Sequence, residues 1–432
     1  MTKAKFFVAI LPAIVILITS CSPVSKRALN RTFKATEDRF HDHTGFMLYD
    51  LQEHKSIYEY NSASYFTPAS NTKIFTLYTA LTVIGDSLPA LRYLEVGDSL
   101  IFWGTGDPSL LYNEVHNNDR VISFLTGKQR TLYFASRNFQ TTHFGNGWAW
   151  DDYNDYYSAE RSSLPLYGNL MQLRVNPTEV LAMPAYFNKF VVYSTLAGSQ
   201  PVLRDPYSNI ITIQTPLTQS FVAKIPARIE NDVIVQLLSD TLKRMVNLID
   251  MDLPKNAGTL YASRSDSIYK IMMQESDNFI AEQLLLVSAG ILSDTLKPEI
   301  AIKYMKENKL KDLADEPQWV DGSGLSRYNL FTPRSIVELW EKIYAIIPRE
   351  RLFPLLAIGG KAGTIRNWYR ADPPYIFGKT GSLSNNHCLS GYLVTRKGKT
   401  LIFSFMNSNF AAPSSEVRNN MQTILRRIYE NF

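Results

Sequence analysis

Three short segments of this 432-residue chain combine residue types able to cleave an acyl bond. In "FTPASNTKIF" Ser70 and Lys73 stand three apart; in "QESDNF" Ser276 and Asn278 flank an aspartate; in "FGKTGSL" Lys379, Thr380, Gly381 and Ser382 run consecutively. On a helix, residues i and i+3 share a face with Cβ atoms about 5–6 Å apart, so a Lys73 amine could take the proton of a Ser70 hydroxyl. A serine at a helix N-terminus also has free backbone N–H groups and the positive end of the dipole beside it, which suits a developing oxyanion. Lysine is a poor base at its ordinary pKa, and burial and a second cation nearby would lower that value.

Each segment taken alone is weak. "SIYK" places Ser267 and Lys270 at the same spacing, "SRN" at Ser136 and "SNN" at Ser384 repeat Ser-x-Asn, and "KAG" at Lys361 partly repeats Lys-Thr-Gly. The ordinary alternative for Ser70 and Lys73 is a capping serine and a solvent-facing lysine.

The elements that must hold these residues are partly readable. Ile74, Leu77, Tyr78, Leu81 and Ile84 make an amphipathic stripe ending at Gly85, a C-cap, which puts Ser70 in or just before the first turn. A mixed polar segment up to about residue 43 and two strand-like runs, "TGFMLYDL" and "SIYEYN", come before it. "NFIAEQLLLVSAG" reads as a second apolar helix with Ser276 and Asn278 at its mouth. Between about 91 and 228, runs such as "SLIFWG" and "NIITIQ" alternate with Gly, Pro, Asn and Asp clusters and read as mostly β. "DVIVQLLSDTLKRMVNLI" then predicts a helix with Ile234, Leu237, Leu238, Met245, Leu248 and Ile249 on one face. The last section reads as an antiparallel meander with Lys379 on its first strand and Cys388 in the core. A final helix, capped by Ser414 or Ser415, buries Val417, Met421, Ile424, Leu425 and Ile428.

The expected class is α/β of the α+β type, an antiparallel sheet flanked by helices and interrupted by a β-rich insertion. The expected division is a leader at 1–20, a discontinuous catalytic domain at 21–90 and 229–432, and an insertion at 91–228.

The three motifs in this order are those of penicillin-binding proteins and class A β-lactamases. With "WGTGDPSL", "SDNFIAEQLL", "DGSGLSRYNLFTP" and "GKTGSL", the chain resembles the D-alanyl-D-alanine carboxypeptidase/endopeptidases called low-molecular-mass class C penicillin-binding proteins, over roughly residues 44 to 410. Ser276 follows Ser70 by 206 positions, more than a compact β-lactamase-like domain needs, and the family carries largely β domains in that interval.

The resemblance implies a transpeptidase-like fold and a role for each motif residue. Ser70 would attack the penultimate D-Ala carbonyl with Lys73 as base, and water would then release the acyl group. Ser276 would relay protons, and Asn278 would bind the substrate's amide backbone. Lys379 would add positive field and, with Thr380, meet the terminal carboxylate. The N–H groups of Ser70 and Ser382, after Gly381, would form the oxyanion hole, leaving the Ser382 side chain of little consequence. Arg327 would contact a substrate carboxylate or fix its own loop by an ion pair. The acidic, aromatic run "WAWDDYNDYY" at 148–157 could meet a cationic stem end or be a solvated loop. Peptidoglycan peptides are the implied substrate and β-lactams the implied covalent inhibitors.

Two readings on the same evidence compete with a peptidase: a β-lactamase or esterase on this fold, and a non-catalytic wall-binding protein. A nucleotide-binding loop fails because Pro373 stands where the first glycine is required. No G-x-S-x-G elbow occurs, and the six histidines make no HExxH array, so neither a metal nor a cofactor is indicated.

Composition bounds the setting. With 45% hydrophobic and 20% charged residues the chain is globular in character. Lys3 and Lys5 precede an apolar run, Phe6 to Ile18, too short to span a bilayer comfortably and suited to a secretory signal. "LITSCSP" resembles a bacterial lipobox, which would put a lipid on Cys21 and the protein in the periplasm, anchored to the outer membrane. Cleavage before Cys21 removes two lysines and no acids, leaving 43 basic and 40 acidic residues, a balance that favours no nucleic acid.

Overall fold

The two ends of the chain meet in one antiparallel sheet. The computed structural model describes residues 25–115, 119–127, 129–196 and 200–432; the expected leader and Cys21 lie outside the described residues. Six strands run in the order Ala357–Ile358, Ile376–Leu383, Asn386–Val394, Thr400–Ser408, His43–Asp50, Lys55–Tyr60. All neighbours are antiparallel, and His43 lies opposite Ser408. The expected meander and the two early strands are therefore parts of one sheet.

Side chains alternate across a strand, so the sheet has two apolar faces to cover. Phe46, Leu48, Phe403 and Phe405 face a helix at each end of the chain, Lys26–Phe40 and Ser414–Asn431. Phe33 of the N-terminal helix packs 4.7 Å from Phe46 and 5.4 Å from Phe405, ring centre to ring centre. Burying each such ring contributes about 1.5–3 kcal/mol. Met47, Tyr392 and Ile402 point the other way, into the larger core with the helices Lys73–Val83, Ser265–Gln274, Asn278–Ser293 and Pro333–Ile346.

Several expectations change. The polar segment before residue 43 is the N-terminal helix, capped by the Ser25 side chain and burying Leu29, Phe33, Thr36 and Phe40 at helical spacing. The helix after Ser70 is not amphipathic: every residue from Lys73 to Ala80 is buried, because the sheet and three helices enclose it. Gly85 does follow its end at φ +77. The C-terminal helix buries the five expected residues, yet its first turn follows Pro413 with no side-chain cap from Ser414 or Ser415.

The helix expected from Asp232 to Ile249 stops at Leu242, where Lys243 adopts φ 49 and turns the chain. Val246–Leu248 instead pairs with Leu132–Phe134 as a parallel strand, leaving Met245 73% and Leu248 50% exposed. That strand is the edge of a five-stranded mixed sheet whose other edge is Gly258–Arg264. Residues 229–264, expected with the catalytic part, therefore pack with the β-rich region: Val233, Ile234, Leu237 and Leu238 share a core with Leu91, Phe102 and Phe134. Two three-stranded sheets complete this region.

Candidate active site

Ala69–Thr72 is a single 3-10 turn that runs directly into the buried helix, so Ser70 sits one turn before the helix and Lys73 is the helix's first residue. The turn is fixed from several sides. Asn71 Nδ2 donates to the Lys379 carbonyl at 3.1 Å, and Asn71 Oδ1 accepts from Ser390 Oγ at 2.5 Å, tying the turn to two sheet strands. A Cβ on Gly381 would stand 2.3 Å from the Pro68 carbonyl and 3.0 Å from the backbone nitrogens of Ser70 and Asn71. Glycine there lets the Ile376–Leu383 strand approach the Ser70 turn and brings the following residue, Ser382, to the same opening. Ala69 itself is left-handed, at φ 47.

Lys73 is fully buried, and its Nζ donates to Ser70 Oγ at 3.0 Å, Asn278 Oδ1 at 2.6 Å and the Ser323 carbonyl at 2.6 Å. Burial pulls its pKa from 10.5 down to about 8, against the opposing charges of Asp321, Glu282 and Asp277. The second cation foreseen as a cause acts in the other direction: the field of Lys73, after burial itself, pushes Lys379 well below its ordinary value. By contrast Ser267 and Lys270 of the "SIYK" repeat are exposed, with Ser267 bonded to its own helix start at the Arg264 carbonyl.

Ser276 lies at φ 63, just before Asp277 caps the Asn278–Ser293 helix by accepting from the Ile280 N–H. Its Oγ accepts from Lys379 Nζ at 2.8 Å, and Lys379 also donates to the Thr380 carbonyl at 2.8 Å. Asn278 is engaged at both ends, to Lys73 through Oδ1 and to the Tyr157 carbonyl through Nδ2 at 3.0 Å. The structure thus brings Ser70, Lys73, Ser276, Asn278, Lys379, Thr380, Gly381 and Ser382 into one cluster, with the two lysines buried beneath its surface. Ser382 does more with its side chain than the sequence foretold: its Oγ meets His387 Nδ1 at 2.8 Å and accepts from Arg418 at 3.4 Å.

A buried polar layer behind Lys73 had no assigned role in the sequence. Asp321 accepts from the N–H groups of Gly324 and Ser326, from Asn329 and from Trp148 Nε1, shaping the 321–326 loop. Burial lifts its carboxyl to about 6, with Glu282 adding to the rise. Glu282 accepts from the Ser323 N–H at 2.7 Å and from Arg161 at 2.6 Å, and both charged residues are almost fully buried. These contacts hold the Ser323 carbonyl against Lys73. "DGSGLSR" and "SDNFIAEQLL" marked the segments of Asp321 and Glu282 without giving either a role; Arg161 lies in a mixed stretch without such a mark.

Two grooves open on either side of Ser70. One, of about 650 Å³, is lined by Asn278, Asp151, Asp152, Tyr157, Gly324, Arg327 and Ser382. It brings the acidic run of the insertion and the exposed Arg327 to the site; among the described residues no carboxylate lies in ion-pair range of Arg327. The other, of about 270 Å³, is lined by Ser276, Thr364, Ile365, Trp368, Tyr369, Thr380, Ser382, His387 and Arg418.

A sequence profile described as the D-Ala-D-Ala carboxypeptidase 3 (S13) family matches residues 31–428. The chain belongs to this family. As an S13 member it is a serine peptidase, a hydrolase of the D-Ala-D-Ala carboxypeptidase type. Similar sequences include D-alanyl-D-alanine carboxypeptidase DacB of Haemophilus influenzae, 23% identical over 84% of this chain and 85% of that protein. Penicillin-sensitive carboxypeptidase A of Dictyostelium discoideum is 22% identical over 84% and 82%. The crystal structure of penicillin binding protein 4 (dacB) from H. influenzae superposes with a TM-score of 0.76 at 19% identity, covering 92% of this chain and 99% of the other. That protein has also been solved complexed with a β-lactam. A peptidoglycan endopeptidase from Bdellovibrio bacteriovorus, Bd3459, shares the fold at a TM-score of 0.53 and 14% identity, over 89% and 93%.

Proposed function

We propose that Ser70 is the nucleophile and Lys73 its base in the hydrolysis of peptidoglycan stem peptides ending in D-Ala-D-Ala. The observation that carries this is the buried Lys73 amine, 3.0 Å from Ser70 Oγ with its pKa drawn down to about 8. Neutral Lys73 takes the hydroxyl proton as Ser70 Oγ attacks the penultimate carbonyl. The N–H groups of Ser70 and Ser382 face the developing oxyanion. Collapse of the tetrahedral species breaks the C–N bond, and the leaving amine takes a proton through Ser276, which Lys379 orients. Water then attacks the acyl-enzyme with Lys73 again as base. For the substrate to use Asn278, its Nδ2 must exchange the Tyr157 carbonyl for the peptide backbone.

Asp151 and Asp152 suit the cationic end of a stem side chain, and Arg327 a carboxylate beside it, on the acyl side of the cleaved bond. β-Lactams enter the same chemistry and form a lasting acyl-enzyme. Protein lacking residues 1–21 should gain the mass of one benzylpenicillin, and Ser70→Ala should gain none. A folded wild-type protein of unchanged mass would sink the assignment, and rapid release of hydrolysed penicillin would favour the β-lactamase reading. D-Ala release from stem pentapeptide, set against cleavage of cross-linked dimers, measures carboxypeptidase against endopeptidase action.

The leader and "LITSCSP" support a periplasmic lipoprotein held by Cys21, with the outer membrane as its site. Cys21→Ser should abolish lipid labelling and membrane retention; a variant still retained would refute the anchor.

A further inference from the structure

The smaller groove carries an unmatched charge. Of the residues lining it, none is a carboxylate and Arg418 is the one with a permanent charge. Arg418 projects from the C-terminal helix, and its Nε is buried without a hydrogen-bond partner. No carboxylate lies in ion-pair range of it among the described residues. Arg418 donates to Ser382 Oγ at 3.4 Å, the residue beside Gly381. Hydroxyls lie beside it: Ser70, Ser276 and Ser382 line the same groove, and Thr380 and Thr364 bond each other at 2.7 Å. His387 behind Ser382 is held neutral, its pKa pushed to about 3 by burial and then by Arg418.

Lys379 is poorly placed to meet an anion in this groove. It is fully buried, turned onto Ser276 and the Thr380 carbonyl, and does not line the opening. We infer that Arg418 is the specificity residue that recognises the α-carboxylate of the leaving amino acid, with Thr380 and Ser382 as its hydrogen-bonding partners. The terminal nitrogens of a guanidinium that lines the groove offer a carboxylate paired donors that a buried lysine cannot. The two grooves then give the cleft a direction, acidic insertion on the acyl side and Arg418 on the leaving side. About 270 Å³ suits a small leaving residue such as alanine, with Trp368 and Tyr369 forming the wall.

This inference rests on Ser70 being the nucleophile, and its test separates the two. Two ligands are compared in full enzyme: an N-acyl-D-Ala-D-Ala peptide, which carries the carboxylate, and the N-acyl-D-alanine boronic acid, which bonds Ser70 but has none. Arg418→Gln should lower kcat/KM for the peptide by about 10- to 100-fold, chiefly through KM, and leave boronic acid affinity within about two-fold. Arg418→Lys should recover part of the loss. If Arg418→Gln cleaves the peptide as wild type does, or loses peptide and boronic acid equally, the inference is overturned alone. If wild-type enzyme takes no boronic acid at Ser70, the nucleophile and the inference fall together.

Discussion

Burial holds the Lys73 amine at about 8 while Asp321, Glu282 and Asp277 pull it upward, so near neutral pH a minority of molecules carries the free base. Ser70 acylation by a β-lactam should therefore accelerate as pH rises through about 8 and level off above it. A rate that stays flat from pH 6 to 10 in a stopped-flow profile would remove Lys73 as base. The stability effect has the same direction. The unfolded chain keeps this proton up to 10.5, so between about 8 and 10.5 the unfolded state binds more protons and Lys73's contribution to stability rises with pH. At this scale the sequence was informative about which residues, through three motifs in order, and silent about their present partners. Asn278 holding Lys73, and Ser276 holding Lys379, are choices among donors within reach that no spacing encodes.

The 3-10 turn at Ala69–Thr72 is an element made rigid by others: its own few hydrogen bonds would not fix Ser70, but Asn71, Gly381 and Gly324 do. A Cβ at 324 would stand 1.9 Å from the Ala69 carbonyl, so the 321–326 loop also packs directly on the turn. Gly381→Ala should lower the penicillin acylation rate by at least about 100-fold while the protein still folds, since the clash falls on backbone that can yield only by moving Ser70. Near-normal acylation by a folded Gly381→Ala protein would show that the close approach is dispensable. Element reading from sequence succeeded where periodicity and burial agree, as in the C-terminal helix and the meander. It failed from Met245 to Ile249, where apolar spacing continued but pairing with Leu132–Phe134 won the backbone hydrogen bonds. The helix at 73–83 was found but its surroundings were not, because a one-sided stripe does not reveal what covers the other side.

Across the whole molecule, the β-rich region supplies parts of the site as well as bulk. Tyr157 bonds Asn278, Trp148 bonds Asp321, and Arg161 pairs with Glu282 inside the catalytic core. Arg161→Met should cost about 3–5 kcal/mol in chemical denaturation, because it strands a buried carboxylate. Adding Glu282→Leu should restore much of that stability yet not the acylation rate, since the Ser323 N–H then lacks its acceptor. Recovery of both together would make the pair a packing feature only. The insertion was legible as a change of composition near residue 91, whereas its far limit was obscured by a helix that looks like the catalytic helices but buries Ile234 and Leu237 against the inserted sheet.

The strand His43–Asp50 lies between Thr400–Ser408 and Lys55–Tyr60, so its pairing partner on one side is made last. A chain emerging N-terminus first, from the ribosome or from an export channel, carries the Ser70 turn, the early hairpin and the whole inserted region before that neighbour appears. Closing so long a loop is slow relative to local pairing. The inserted sheets, whose strands all lie between Ser87 and Arg264, can assemble while the early hairpin waits with an open edge. The strand Ile376–Leu383 and its Gly381, which pack on the Ser70 turn, come from the last sixth of the chain. A chain cut before Ile376 therefore lacks the strand that bears Lys379 and Ser382, and one cut before Thr400 lacks the strand that joins that part of the sheet to His43–Asp50.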